Sequence, residues 1–270
     1  MSTDRLQART ADGVLIAGSI GGEGPPLVLI PGLGSTRRVF DPLVPLLREG
    51  HRVIVHDPRG VGDSEPGALR LTMELLASDT VAVLEAAGIG EADVFGASMG
   101  GAVAQHLVVG SPQRVRRLIL AATAPTGGHA IPADPRASAA LLGKGARTPE
   151  EAYRLACTVL YSPHFQRTHR EFIDEQVRIR VSHPVPARVF KAQLEALREA
   201  SDVWEQLPDV RTPVLVTHGT ADAVTPFENA RLLAARIPGA HTRWFEQCGH
   251  LFFHERPEES ARVIDEFLRD

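Results

Sequence analysis

The sequence predicts an α/β protein: a mostly parallel central sheet flanked by helices, with a helical cap inserted after the sixth strand. Three observations predict it. Short runs of branched apolar residues alternate with longer amphipathic ones, the pattern of strands and crossover helices. The apolar runs are nearly continuous, which implies strands buried on both faces. The alternation stops after Ala124 and resumes at Arg211-Thr212-Pro213. Between them lies a stretch punctuated by proline and histidine, helical in pattern and without strand-like runs of comparable strength.

The elements follow in order. An opening hairpin is expected over residues 6–20, turned at Asp12-Gly13. Strands are expected at 27–30, 52–56, 92–97, 118–122, 214–218 and 242–245, and helices at 36–49, 72–88, 99–109, 227–237 and 257–269. Pro257 suits a helix start, and Ala261, Ile264, Phe267 and Leu268 fall on one face of that last helix. Residues 1–124 and 209–270 should form the core, and 125–208 the cap.

A chain of 270 residues with 43% hydrophobic content buries a sizeable core and fits one domain carrying an insertion. Its 29 basic and 33 acidic residues give a net charge of -4, so no global field favours nucleic acid or an anionic membrane. The basic run Arg114, Arg116 and Arg117 reads as a solvated junction. Two cysteines, Cys157 and Cys248, argue against a disulfide framework and for a reducing compartment. No apolar stretch approaches the ~20 residues of a spanning helix, and the N-terminal residues lack the apolar heart of a secretion signal, so a cytoplasmic location is expected. Monomer and homodimer both remain open.

The stretch "FGASMGGAVAQHL" at 95–107 carries a GxSxG pattern between a strand-like and a helix-like run. That arrangement presents Ser98 on a sharp, strained turn at the top of a sheet, with Gly96 and Gly100 where strand and helix nearly touch. The helix N-terminus beyond it aims free N–H groups at the same spot, making the Met99 N–H an oxyanion donor. "LIPGLGSTRRVF" follows the strand at 27–30, and its glycine turn allows the Leu33 N–H to be a second donor. Asp222 lies beyond the next-to-last strand in "VTHGTADAVTP", and His250 beyond the last in "FEQCGHLFFHERPEE". Serine, acid, histidine, each at the C-terminal end of a strand, is the order expected of a nucleophile elbow.

On these residues the chain resembles the α/β-hydrolase fold proteins over nearly its full length, in particular the small capped serine hydrolases that include carboxylesterases and 3-oxoadipate enol-lactonases. "HDPRGVGDSEP" at 56–66 matches the family's DxRGxGxS segment. The resemblance implies Ser98 as nucleophile, His250 as base, Asp222 as acid, and Leu33 and Met99 as oxyanion donors. Pro31 departs from the histidine that many relatives carry before the glycine. The cap region matches poorly, so the resemblance does not reach the substrate.

Serine rather than aspartate at position 98 argues for acyl chemistry and against the alkyl chemistry of dehalogenases and epoxide hydrolases. The expected reaction is hydrolysis of a small carboxylic ester or lactone through an acyl-enzyme, without cofactor or metal. The alternative is a carbon–carbon bond hydrolase, or a lyase or cyclase variant, in which His250 acts chiefly by proton transfer. A binding protein that has lost catalysis is a third reading.

Several residues have plainer readings. His250 and His254 stand four apart with Cys248 two before, but a metal pair at that spacing needs a helix, whereas "CGHLFFH" begins in a glycine-containing loop and offers no clear further ligand. His106, Asp57 and Arg59 read as structural, Trp204 and Trp244 as core packing, and His129, His164, His169 and His183 as surface. Phe165, Phe172, Phe190 and Leu194 read as packing of the cap, with one or two facing substrate.

Overall fold

The computed structural model describes residues 3–269. They form eight strands in one sheet: β1 (Thr3–Arg9), β2 (Leu15–Gly21), β3 (Pro26–Ile30), β4 (Arg52–His56), β5 (Ala92–Ala97), β6 (Val115–Ala121), β7 (Val214–Gly219) and β8 (His241–Phe245), in the spatial order β1-β2-β4-β3-β5-β6-β7-β8. The opening hairpin pairs antiparallel within itself and with β4; every later pairing is parallel.

Strand side chains alternate between two cores. Val28, Ile54 and Val94 face one, together with helices α2 (Met73–Ala86) and α3 (Met99–Gly110). Leu27, Leu29, Val53 and Phe95 face the other. There they meet the short helix α1 (Val44–Leu47) and the C-terminal helix at Pro257–Arg269. Burial on both faces explains the nearly continuous apolar runs.

Two local expectations are corrected. The single helix expected over 36–49 is a 3₁₀ turn at Arg37–Phe40 followed by α1. Pro42 and Pro45 each remove an N–H donor, and a continuous helix cannot form through them. The last strand is an edge strand, with His241, Thr242 and Arg243 exposed, so burial on both faces does not extend to it.

After β6 come five helices with no strand between them: α4 (Pro135–Leu141), α5 (Pro149–Leu160), α6 (Pro163–Thr168), α7 (Arg170–Ser182) and α8 (Ala187–Arg198). The chain returns to the sheet at β7, beside the strand it left. Helices α9 (Phe227–Arg236), α10 (Phe252–Glu255) and α11 (Pro257–Arg269) complete the fold. No helix among the described residues is long and apolar enough to cross a membrane.

The DxRGxGxS loop is held by charge pairs. Asp57 accepts from the Arg37 N–H at 2.8 Å and pairs with the Arg37 guanidinium. Arg59, fully buried, bridges Asp12 of the hairpin and Asp79 of α2 at 2.6 and 2.5 Å. The loop thus ties the hairpin, α2 and the 3₁₀ turn at Arg37–Phe40 together without joining Asp57 to Arg59.

Candidate active site

Ser98 sits between β5 and α3 with φ 55° and ψ −120°, in a region that L residues occupy at a strain of about 1–3 kcal/mol. Its surroundings hold it there. The Ser98 N–H donates to the Ala121 carbonyl at 2.9 Å, and its own carbonyl accepts from Thr123 Oγ1 at 2.7 Å. A Cβ on Gly100 would lie 2.0 Å from the Ile30 carbonyl oxygen, and one on Gly96 would lie 2.4 Å from the Gly100 oxygen. Only hydrogen fits at either position, which is the physical content of the GxSxG spacing.

A cavity of about 310 Å³ opens over the C-terminal edge of the sheet. Ser98, Leu33 and His250 line it together. A Cβ on Gly32 would lie 3.1 Å from the Ser98 Cβ, so the glycine turn runs directly beside the serine. The N–H groups of Leu33 and Met99 meet no protein acceptor among the described residues. Met99 itself is buried as the first residue of α3.

His250 Nδ1 lies 2.7 Å from Asp222 Oδ2 and donates to it, which leaves Nε2 as the unprotonated nitrogen of the neutral ring. No hydrogen bond joins the Ser98 hydroxyl to the imidazole; such contacts commonly tighten only once substrate is bound. Asp222 is more elaborately held than the sequence implied. Its Oδ1 accepts from the N–H groups of Val224 and Thr225, both at 2.8 Å. Its Oδ2 also faces His218 Nε2 at 3.1 Å, and that nitrogen reaches the Thr225 carbonyl at 2.9 Å. Both partners accept, so His218 Nε2 carries a hydrogen. Burial would raise the Asp222 pKa, but the His250 and His218 contacts outweigh it and hold the carboxyl well below the usual carboxylate range.

His218 was not singled out in the sequence, although it stands at the end of β7, four residues before Asp222. The walls held further surprises. Phe190 and Leu194 of α8 line the cavity, whereas Phe165 and Phe172 pack with Tyr161 away from it. His129, His164, His169 and His183 are exposed and none lines it. Arg38, Arg180 and Arg198 reach the cavity, and no aspartate or glutamate does among the described residues. Arg180 and Gln193 were also missed; both contact the glycine turn.

Neighbouring titratable groups are otherwise occupied. His106 Nδ1 lies 2.9 Å from the Ala102 carbonyl, a structural contact within α3. Burial pushes the Cys248 thiol up to about 11, which keeps it protonated and unreactive at neutral pH. His254 is buried between the Tyr161 hydroxyl at 2.9 Å and the Val39 carbonyl at 2.6 Å. Burial lowers its pKa to about 4.

Because the unfolded chain takes up this proton near pH 6.5 and the folded one does not, stability is complete above about 6.5. It should fall by about 3 kcal/mol as the pH drops towards 4. Urea unfolding across that window should show the slope, and His254→Gln, which has no proton to take up, should make it shallower by the His254 share, leaving the part that buried His56, whose pKa burial also lowers, contributes.

A family model described as alpha/beta hydrolase fold matches residues 25–257. The chain is 31% identical over 246 residues to a poly(3-hydroxyalkanoate) depolymerase of Ectopseudomonas oleovorans, covering 90% of this chain and 84% of that one. It is 31% identical over 272 residues to a pimeloyl-(acyl-carrier protein) methyl ester esterase of Aromatoleum aromaticum, covering 91% and 98%. Among solved structures, a hydrolase from Pseudomonas aeruginosa PA01 matches with a TM-score of 0.84 at 28% identity, covering 98% of both chains. The chain belongs to the alpha/beta hydrolase fold family, as one of its hydrolase enzymes.

Proposed function

We propose that the enzyme hydrolyses a small carboxylic ester or lactone through an acyl-enzyme. Ser98 is the nucleophile, His250 the base, Asp222 its acid partner, and the N–H groups of Leu33 and Met99 the oxyanion donors. One observation carries the reading: a strained serine at the head of a helix shares a cavity with an imidazole whose far nitrogen is bound by a buried carboxylate.

The chemistry follows from those positions. As Ser98 Oγ bonds to the substrate carbonyl carbon, its proton passes to His250 Nε2, and the carbonyl oxygen becomes an anion that accepts the two N–H groups. The imidazolium is stabilised by Asp222 and returns the proton to the departing oxygen as the carbon–oxygen bond breaks. Water then attacks the acyl-enzyme, giving its proton to His250, and Ser98 is released with a proton on Oγ.

Residues 125–208 act in this reading as a cap that shapes the acyl or alcohol site, with Leu141, Phe190 and Leu194 as apolar wall. The volume lies at the low end of ligand pockets, roughly 300–1,000 Å³, which supports a small substrate. Arginines without acids in the wall disfavour a cationic one.

The test is a fluorophosphonate probe together with p-nitrophenyl esters of short acids and simple lactones. Labelling at Ser98 with turnover of at least one such substrate is expected. Failure of both overturns the reading. Cleavage of a vinylogous diketone that survives Ser98→Ala but not His250→Ala would replace it with the carbon–carbon alternative.

A further inference from the structure

The glycine turn beside Ser98 is gripped from above. Gly34, at φ +62°, has its N–H taken by Gln193 Oε1 of α8 at 2.9 Å and its carbonyl taken by the Arg180 guanidinium of α7. Gln193 is fully buried. The Ser35 N–H in turn donates to the Gly32 carbonyl at 3.2 Å.

These bonds form a series through two peptide units that flank a third. Arg180 donates to the carbonyl of the Gly34–Ser35 peptide. The N–H of that peptide donates to the carbonyl of the Gly32–Leu33 peptide, and the N–H of this last unit is the Leu33 donor. The intervening Leu33–Gly34 peptide is fixed by Gln193. A hydrogen bond accepted at a peptide carbonyl makes the N–H of the same peptide a better donor, so the cation at the start of the series polarises the group at its end. It also fixes the plane in which that group points, and a donor must be fixed before the reaction to stabilise developing charge.

We propose that Gln193 and Arg180 are positioning residues that align and strengthen the Leu33 N–H, so that the oxyanion site is complete only while α7 and α8 are seated on the glycine turn. The proposal rests on the assignment of Ser98 and Leu33 above. Neither side chain needs to touch the reacting atoms. Unseating these two helices to admit a bulky ester would loosen the donor at the same time.

The experiment is steady-state kinetics on the best p-nitrophenyl ester, with inhibition by a trifluoromethyl ketone that forms an oxyanion on Ser98. Gln193→Met removes the acceptor at similar volume. It should lower kcat by about tenfold with KM within about twofold, and weaken the ketone in parallel. Gln193→Glu keeps an acceptor oxygen toward the Gly34 N–H and should restore most of kcat. Arg180→Met should act in the same direction as Gln193→Met, giving a second route if that variant folds poorly.

An unchanged kcat and ketone affinity in folded Gln193→Met and Arg180→Met overturns the proposal, as does a fall in kcat that only follows the fraction folded. Wild-type turnover that survives Ser98→Ala overturns the parent assignment instead, and the positioning role with it.

Discussion

Ser98→Ala should lower kcat/KM for an activated ester by at least about 10⁴-fold while leaving the melting temperature within a few degrees. The loss is large because in the proposed mechanism the hydroxyl forms the covalent bond; without it His250 and the proposed oxyanion donors would have only water to act on. Stability is spared because the backbone contacts of Ser98, to Ala121 and Thr123, do not involve its side chain.

Ser98→Gly separates the two properties further. It abolishes turnover equally but relieves the positive φ, worth about 1–3 kcal/mol, against about 1 kcal/mol of added chain entropy. The glycine variant should therefore resist urea better than the alanine variant by about 1 kcal/mol. Turnover within a hundredfold of wild type in both variants would remove Ser98 from the chemistry.

Asp222→Asn should reduce kcat by about 10⁴-fold. The carboxylate meets four donors: the Val224 and Thr225 N–H groups on one oxygen, His250 and His218 on the other. An asparagine has one oxygen and one NH₂. Whichever way the amide is turned, its NH₂ faces two donors, so a pair of bonds is lost; the charge that stabilises the protonated imidazole goes in either orientation, and the tautomer goes with it where the NH₂ faces His250.

The same substitution changes acid stability. The folded-state pKa of Asp222 lies below its unfolded value. Its ionisation therefore stabilises the fold above about pH 4, and that contribution is lost as the pH falls through the folded value. Asp222→Asn should be less stable at pH 7 and lose less on acidification. A kcat within tenfold of wild type would deny Asp222 the role.

Much of this was readable along the chain. Strands such as 92–97 and 214–218 declare themselves because both faces are buried, and the serine turn because its constraints are local: Gly96 and Gly100 make room for a crossing only a few residues wide. The two failures have different causes. Across 36–49 the helical spacing of apolar residues was real, but two missing N–H groups outweighed it. At 242–245 an edge position left strand residues in water.

Gln193 and Arg180 stood 159 and 146 residues from the glycine they hold, on helices whose pattern describes only their own packing. His218 was closer, yet nothing in a strand-end histidine announces that its hydrogen points at a neighbouring carboxylate.

The grip on Gly34 bears on attempts to change what the enzyme accepts. The helices after β6 leave and rejoin the sheet at adjacent strands, which makes them look like an interchangeable module for grafting from one homologue to another. A chimera assembled on that basis would bring new walls but orphan the peptide beside the serine. Its slow turnover would then be misread as poor substrate fit. A successful graft would have to carry its own amide acceptor and its own guanidinium to the same glycine.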